Sequence, residues 1–251
     1  MPIIYEPKGR AREYSYLACN LYEGCVHGCK YCYVPDILRR ERSDFHLSVK
    51  PRTNILREIS KDLAKIKDTY KRVLLCFTCD PYPPAKYEKG LTRQALELFR
   101  RHNVPFQILT KGGTRACRDF DLYGSDDAFA TTLTYTLDDG KSLEIEPGAA
   151  IPSDRIMAIR IAKERGITTW VSLEPVIDPG ESLRLIEETH DFVDLYKIGK
   201  LNHIPNSIDW RKFGSEAIDL CRKYKVPFYI KADLAAYLGG IDFTNTETRL
   251  I

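Results

Sequence analysis

Seven short apolar stretches alternate with amphipathic ones along this 251-residue chain, and that alternation narrows the possible folds more than any other feature. Residues 14–20, 72–78, 104–110, 128–134, 168–173, 192–198 and 226–230 are rich in Val, Ile, Thr, Phe and Tyr. Such side chains suit a pleated, half-buried backbone, so these are the expected strands. Between them the apolar period switches to that of a helix. In 53–67, Ile55, Leu56, Ile59, Leu63 and Ile66 recur at three- and four-residue spacing. Residues 92–101 follow Gly90 and carry Ala95, Leu96 and Phe99. Ser153 is the expected cap of a helix over 154–165, with Gly166 as its stop. Residues 182–189 and 211–225 complete the set.

Strands alternating with helices predict a parallel sheet with helical crossovers. Six or seven units fall short of a closed eightfold barrel. The expected fold is therefore α/β, a partial (β/α)6 TIM-like barrel in one domain over 1–251, with its core at about 14–231. Chemistry in such barrels lies on loops that leave the strand C-termini. Here those are 25–32, 78–82, 110–113, 172–175, 197–200 and 231–233, which are expected to converge on one mouth.

Charge adds a weaker constraint. The formal net charge is +3, but residues 1–120 hold 23 Lys/Arg against 13 Asp/Glu, and residues 121–251 hold 15 against 22. A basic half attracts polyanions or is an ordinary solvated surface. No apolar run approaches the ~20 residues that cross a bilayer, and residues 1–14 lack the apolar core of a secretory signal. The expectation is a cytoplasmic protein without membrane contact. In that reducing compartment the eight cysteines are thiols or metal ligands.

Three of them stand within eight residues, in Gly24-Cys25-Val26-His27-Gly28-Cys29-Lys30-Tyr31-Cys32-Tyr33. The spacing C-x3-C-x2-C lets one loop turn three thiolates toward one centre, with Gly24 and Gly28 permitting the tight path. Three ligands leave one iron of a four-iron cluster open to a small molecule, whereas a closed structural site uses four. The other reading of the same loop is a zinc site with His27 as fourth ligand.

This loop, with an aromatic before its last cysteine, resembles that of the radical S-adenosylmethionine (SAM) superfamily. Asn20-Leu21-Tyr22-Glu23-Gly24-Cys25, Thr78-Cys79-Asp80-Pro81-Tyr82, Leu91-Thr92-Arg93-Gln94-Ala95-Leu96, Leu109-Thr110-Lys111, Glu146-Pro147-Gly148-Ala149 and Ser172-Leu173-Glu174-Pro175-Val176 are similar to its DNA repair photolyase-like branch, which holds the spore photoproduct lyases. The similarity covers about 14–205. It implies a [4Fe-4S] cluster on Cys25, Cys29 and Cys32, with SAM on the fourth iron. It also implies reductive cleavage of SAM to a 5′-deoxyadenosyl radical that abstracts a substrate hydrogen, driven by a donor of the flavodoxin or ferredoxin type. The cofactor carries the difficult chemistry and the protein positions it.

The resemblance also suggests site residues. Lys111 is the compact cation suited to the SAM carboxylate. Asp80, or the carbonyl of Thr78, accepts from the SAM amine; Asp80 before Pro81 is equally a turn former. Thr132, on the same face of the fourth expected strand as Thr134, reaches the ribose or carboxylate, or serves strand propensity alone. Glu146 and Glu174 bind ribose hydroxyls or substrate, or act as caps or ion-pair partners. Tyr31 and Tyr33 flank the cofactor, Tyr33 packing on the adenine. The lyase branch keeps its hydrogen-donor cysteine in C-T-S-D; here that position is Phe77, and Cys79 is the better-placed loop thiol. Cys76 is expected to be a small buried hydrophobe, and Cys19, Cys117 and Cys221 structural. The branch and the cations Arg39, Arg40, Arg42, Lys50 and Arg52 favour a nucleic acid or nucleotide as substrate. A maturase of a peptide or small metabolite, and a non-catalytic iron–sulfur or zinc nucleic-acid module, are the competing readings.

Overall fold

A computed structural model describes residues 2–66, 69, 71–87, 89–135 and 139–240. All seven expected strands form, six of them shorter than expected and β7 over its expected bounds: β1 (Leu17–Cys19), β4 (Val73–Leu75), β5 (Phe106–Thr110), β6 (Ala128–Thr132), β7 (Thr168–Leu173), β8 (Leu195–Ile198) and β9 (Phe228–Ile230). Among the described residues they make one parallel sheet in the order β1-β4-β5-β6-β7-β8-β9. Sequential neighbours joined by crossovers curl into a half-barrel with two free edges, in agreement with the partial barrel expected. The sequence gives no hint of a small antiparallel pair, β2 (Tyr22–Glu23) with β3 (Lys50–Pro51), which brackets the cysteine loop.

The crossovers are α3 (Ile55–Leu63), α4 (Leu91–Arg101), a 3-10 segment (Gly113–Leu122), α6 (Pro152–Glu164), α7 (Pro179–Thr189) and α8 (Trp210–Lys223). Ser153 does not cap α6. The helix starts at Pro152, whose fixed φ suits a first helical position, and Ser153 lies inside the first turn. Gly166 does terminate it, at φ +75°. Asp178 and Asp209 cap α7 and α8, their carboxylates accepting from the amides of Glu181 and Lys212. Short helices α1 (Val34–Leu38) and α2 (Arg42–Leu47) follow the cysteine loop, α5 (Asp139–Ile145) precedes α6, and α9 (Ala232–Ala235) follows β9.

Alternation along the strands separates two interiors. One set, including Val73, Leu75, Phe106, Ile108, Phe129, Val171, Tyr196 and Ile198, packs under the helices in the main core. The other set faces the barrel axis, where Leu74, Ala128, Ala130, Trp170 and Leu195 form a small cluster with Tyr14, Phe77, Leu109 and Tyr229. That inner layer is partly polar. Trp170 Nε1 donates to Gln107 Oε1 at 3.1 Å, and Gln107 Nε2 to the Tyr14 carbonyl at 3.2 Å. Lys197, fully buried, donates to the carbonyls of Glu13 and Tyr14. Burial pushes its pKa down to about 7, helped by the nearby charges of Lys231 and Arg72. Among the described residues no helix is long and apolar enough to cross a membrane.

Candidate functional site

The loops after the strand C-termini meet as expected, around a cavity of about 420 Å³. Cys76, Phe77, Cys79 and Asp80 come from the end of β4, Thr110 and Lys111 from β5, and Thr132 from β6. Glu174 follows β7; Lys200, Asn202 and His203 follow β8; Lys231 follows β9. Tyr31 and Tyr33 enter from the cysteine loop, and Lys8, Arg10 and Tyr14 from the segment before β1. The volume lies in the ordinary range for a small-molecule site.

The cysteine loop is pinned from two sides. Cys25 N donates to the Phe45 carbonyl at 3.2 Å, and His46 Nδ1 lies 2.7 Å from the Cys25 carbonyl. Arg42 donates to the carbonyls of Cys29 and Cys32 at 3.4 and 2.7 Å. On the other side Lys30 N donates to Ile145 O and Gly148 N to His27 O, both at 2.8 Å. Gly24 has φ +78°, and a Cβ there would lie 2.2 Å from the Ser48 carbonyl oxygen, so only glycine fits. Burial pushes the Cys25 thiol well up and the Cys29 thiol up to about 11, although the Lys111 charge pulls Cys29 back. The metal-free loop thus holds neutral thiols, and loading releases protons.

Among the described residues no three His, Cys, Asp or Glu side chains converge as a single metal ion requires. Zinc draws its donors to about 2.0–2.3 Å from one point. His27 is directed elsewhere, burying its ring with Nδ1 3.6 Å from Asp80 Oδ2. Burial pushes its pKa down to about 4, so it is neutral at pH 7. A four-iron cluster instead takes its thiolates one per iron, at separate corners.

Asp80 organises the wall next to the loop. Its Oδ1 accepts from Thr110 Oγ1 at 2.6 Å and Tyr82 N at 2.8 Å, and its Oδ2 from Lys111 N at 2.8 Å. Burial opposes ionisation, but His27, the Thr110 hydroxyl and those two amides hold the carboxyl below its ordinary range. It is both turn former and cavity wall. Lys111 stands 5.5 Å over the Tyr31 ring and has no carboxylate partner among the described residues. Asn20, which the sequence reading missed, fixes the neighbouring turn: its Oδ1 accepts from Phe77 N and Thr78 N, both at 2.8 Å. Thr78 itself does not line the cavity, and its buried hydroxyl has no partner among the described residues.

Glu146 is placed differently from the expected cofactor contact. It does not line the cavity. Its carboxylate pairs with buried Arg155 at 2.5 Å and accepts from the hydroxyls of Tyr31 and Thr134. Arg155 also donates to Ala150 O at 2.6 Å and Thr132 O at 3.1 Å. Glu146 therefore reaches two cavity residues, Tyr31 directly and Thr132 through Arg155. An arginine within an amphipathic helix left no trace of this role in the sequence. Of Thr131, Thr132 and Thr134, only Thr132 lines the cavity; Thr131 bonds the Thr110 carbonyl and Thr134 bonds Glu146.

Glu174 does line the cavity and anchors the opposite wall. It accepts from Tyr14 at 2.7 Å, Asn202 at 3.0 Å and Lys231. Lys231 lies 4.1 Å over the Tyr14 ring. Cys79 and Cys76 are both buried in the main core, as expected of Cys76, and both also line the cavity. Burial, then a hydrogen bond with Cys79, keeps the Cys76 thiol protonated. Tyr33, 39% exposed, stacks on His203 at the rim.

A parallel half-barrel with a three-cysteine loop at its C-terminal mouth defines a class of cofactor-dependent enzymes. The family model of the radical SAM superfamily matches residues 19–193. The chain belongs to this superfamily, whose members are enzymes that use a [4Fe-4S] cluster and SAM. Two uncharacterized relatives match 70% of the chain. One, from Acidianus two-tailed virus, is 30% identical over 188 residues, and one, from Mycobacterium tuberculosis, 26% over 189. The chain spans 61% and 55% of their lengths. Among solved structures it is similar to spore photoproduct lyase complexed with dinucleoside spore photoproduct. There the TM-score is 0.69 and the identity 12%, over 92% of this chain and 79% of that one. It is also similar to Streptococcus suis SuiB bound to S-adenosylmethionine, with a TM-score of 0.66 and 13% identity over 91% and 53%. At such identities the likeness is one of fold.

Proposed function

We propose that this chain uses a [4Fe-4S] cluster and SAM in its mouth cavity to start radical chemistry on a nucleic acid or nucleotide. The observation that carries the reading is the cavity itself. It is lined by Tyr31 and Tyr33 of the cysteine loop, by Lys111, which has no carboxylate partner among the described residues, by the thiols of Cys76 and Cys79, and by the cations Lys8, Arg10 and Lys200. The donor set fits both groups. Three thiols on one pinned loop suit a cluster with an open iron, and a cation without a carboxylate suits the SAM carboxylate.

Cys25, Cys29 and Cys32 would hold the cluster. Lys111 would pair with the SAM carboxylate, Asp80 would accept from its amine, and Thr132 and Glu174 would face its ribose or the substrate. Tyr33, half-exposed at the rim, would cover the adenine. Bound together, cluster and SAM supply a one-electron reductive cleavage that yields methionine and a 5′-deoxyadenosyl radical. The chain's own part is to orient and exclude water. Glu146 and Arg155 fix Tyr31 and the end of β6; Asp80 fixes Lys111; Asn20 fixes the turn between Cys76 and Cys79. Cys79, which lines the cavity, would return a hydrogen atom to a substrate carbon radical, its S–H bond breaking as the C–H bond forms and the unpaired electron passing to sulfur.

Similarity in fold to a lyase complexed with a dinucleoside photoproduct supports a nucleic-acid substrate, as do Lys8, Arg10 and Lys200 at the rim. A flipped base or nucleotide matches a concave, cation-rimmed pocket. Anaerobic reconstitution with iron and sulfide tests the reading. Wild type is expected to hold about four irons per chain, and single- or double-stranded oligonucleotides are expected to bind with a steep salt dependence and raise SAM turnover. Turnover that ignores oligonucleotides but responds to peptides would move the substrate to the maturase class.

A further inference from the structure

Two thiols share the mouth cavity, and the return of one hydrogen atom from Cys79 uses only one of them. Cys76 and Cys79 are the only cysteines among the described residues that line it. Their spacing, C-x2-C, is that of a redox dithiol, in which one turn brings both sulfurs together. Here the turn is held from within. Asn20 Oδ1 accepts from the amides of Phe77 and Thr78, the two residues between the cysteines, and Asn20 Nδ2 donates to the Tyr5 hydroxyl at 2.9 Å. The Cys76 thiol is hydrogen-bonded to Cys79, so the sulfurs stand in contact. A cysteine that only fills the core has its sulfur among apolar groups, not on a cavity wall against a second thiol.

The surroundings select the chemistry. The thiolate is the nucleophile in disulfide exchange, and burial opposes the thiolate at Cys76. A neutral S–H bond instead stores a hydrogen atom. Cys19, at the end of β1, is fully buried beside the pair and does not line the cavity.

We infer that Cys76 and Cys79 act together as a dithiol that gives two hydrogen atoms to carbon radicals in the cavity and ends as a disulfide. The inference rests on the radical chemistry proposed for the same cavity. Cys79 gives the first hydrogen. Cys76 then passes its own across the contact, which re-arms Cys79 and leaves the unpaired electron on the Cys76 sulfur. A second carbon radical takes the hydrogen of Cys79, and the two sulfurs join. Two S–H bonds break, two C–H bonds and one S–S bond form, and no further oxidant is consumed. The reset belongs to another class of reaction, thiol–disulfide exchange, in which an external dithiol is oxidised as the Cys76–Cys79 bond is reduced.

The test needs no identified substrate and uses the reconstituted full chain without oxygen. In one arm, dithiothreitol redox buffers poise the protein, acid and an alkylating agent trap it, and peptide mass spectrometry reads each cysteine. A reversible, two-electron Cys76–Cys79 disulfide is expected, with Cys19 free. In the other arm the reduced protein receives SAM in D2O, where thiol hydrogens exchange. Deuterium is expected in 5′-deoxyadenosine, together with the same disulfide. Cys76→Ser is expected to halve the deuterated product and Cys79→Ser to remove most of it, both with iron content unchanged. Serine keeps the size of cysteine but gives up no hydrogen atom, so a packing role would leave the product as in wild type. Cysteines that stay alkylatable in the most oxidising buffer, or a disulfide that takes in Cys19, overturn the inference while the radical reading stands. So does undeuterated 5′-deoxyadenosine from wild type. A chain that titrates as a dithiol but assembles no cluster, or cleaves no SAM, overturns the radical reading and the hydrogen-donor role with it.

Discussion

Replacing Glu146 by Ala strips the buried Arg155 of its counter-charge. Arg155 is 0% and Glu146 1% exposed, and their 2.5 Å contact lies far from bulk water. Burial alone would push the Glu146 carboxyl up; the Arg155 and Lys111 charges and the bonds from Arg155 and Tyr31 hold it below its ordinary range instead. Removing one member of such a pair costs about 3–5 kcal/mol, because the other stays buried and uncompensated. The Thr134 and Tyr31 hydroxyls lose their acceptor too, at about 1 kcal/mol each. A loss near 4–6 kcal/mol is expected in urea unfolding followed by circular dichroism at pH 7. Glu146→Gln keeps a neutral acceptor and is expected to lose roughly half as much. Glu146→Leu/Arg155→Met removes both charges and is expected to recover most of the loss. The pH dependence follows from the depressed carboxyl. The contribution is complete above the unfolded carboxyl's value near 4.3 and is lost as pH falls through the lower folded value. The gap between wild type and Glu146→Gln should therefore narrow below about pH 4. A loss under about 1 kcal/mol for Glu146→Ala, or a double variant no better than the single, would refute the argument.

Three other outcomes are expected. Lys197, depressed to about 7, destabilises the fold while charged, an effect complete below pH 7 and relieved as pH rises toward the unfolded value of about 10.4. Lys197→Met should thus gain on wild type at pH 7 and give back about 2–4 kcal/mol of that difference by pH 10 in chemical unfolding; a pH-independent difference would contradict this. Lys111→Ala should weaken SAM binding about 10–30-fold in anaerobic calorimetry, the worth of a charge-assisted bond; less than a twofold change would remove Lys111 from the carboxylate. Gly24→Ala, blocked by the Ser48 carbonyl, should lower iron retention after reconstitution severalfold, and full retention would show that the loop tolerates another path.

The strands and their order were legible because each carries a dense apolar core that no helix period explains; Thr168–Leu173 coincides with its expected bounds. The mouth loops were legible because a parallel barrel puts strand ends on one side, and the cysteine spacing is local. What escaped depends on long-range packing. Lys8, Arg10 and Tyr14 join the site only because Glu13 accepts from the Ala232 amide and Arg10 pairs with Asp233 across the chain. Asn202 is held by Glu174 and by the Lys200 carbonyl. For Glu146 the sequence left ligand and ion-pair partner both open, because the arginine that pairs with it lies nine residues on in another element. Lys197 did leave a signal, a lysine at an inward position of an apolar strand.

The central claim is reductive SAM cleavage at the Cys25–Cys29–Cys32 loop. Quantifying 5′-deoxyadenosine from reconstituted, dithionite-reduced protein and SAM, beside Cys29→Ala, tests it most directly. The account predicts product from wild type and none from the variant. A wild type with a confirmed cluster that makes no product, and whose reduced-cluster EPR signal SAM leaves unchanged, would contradict it.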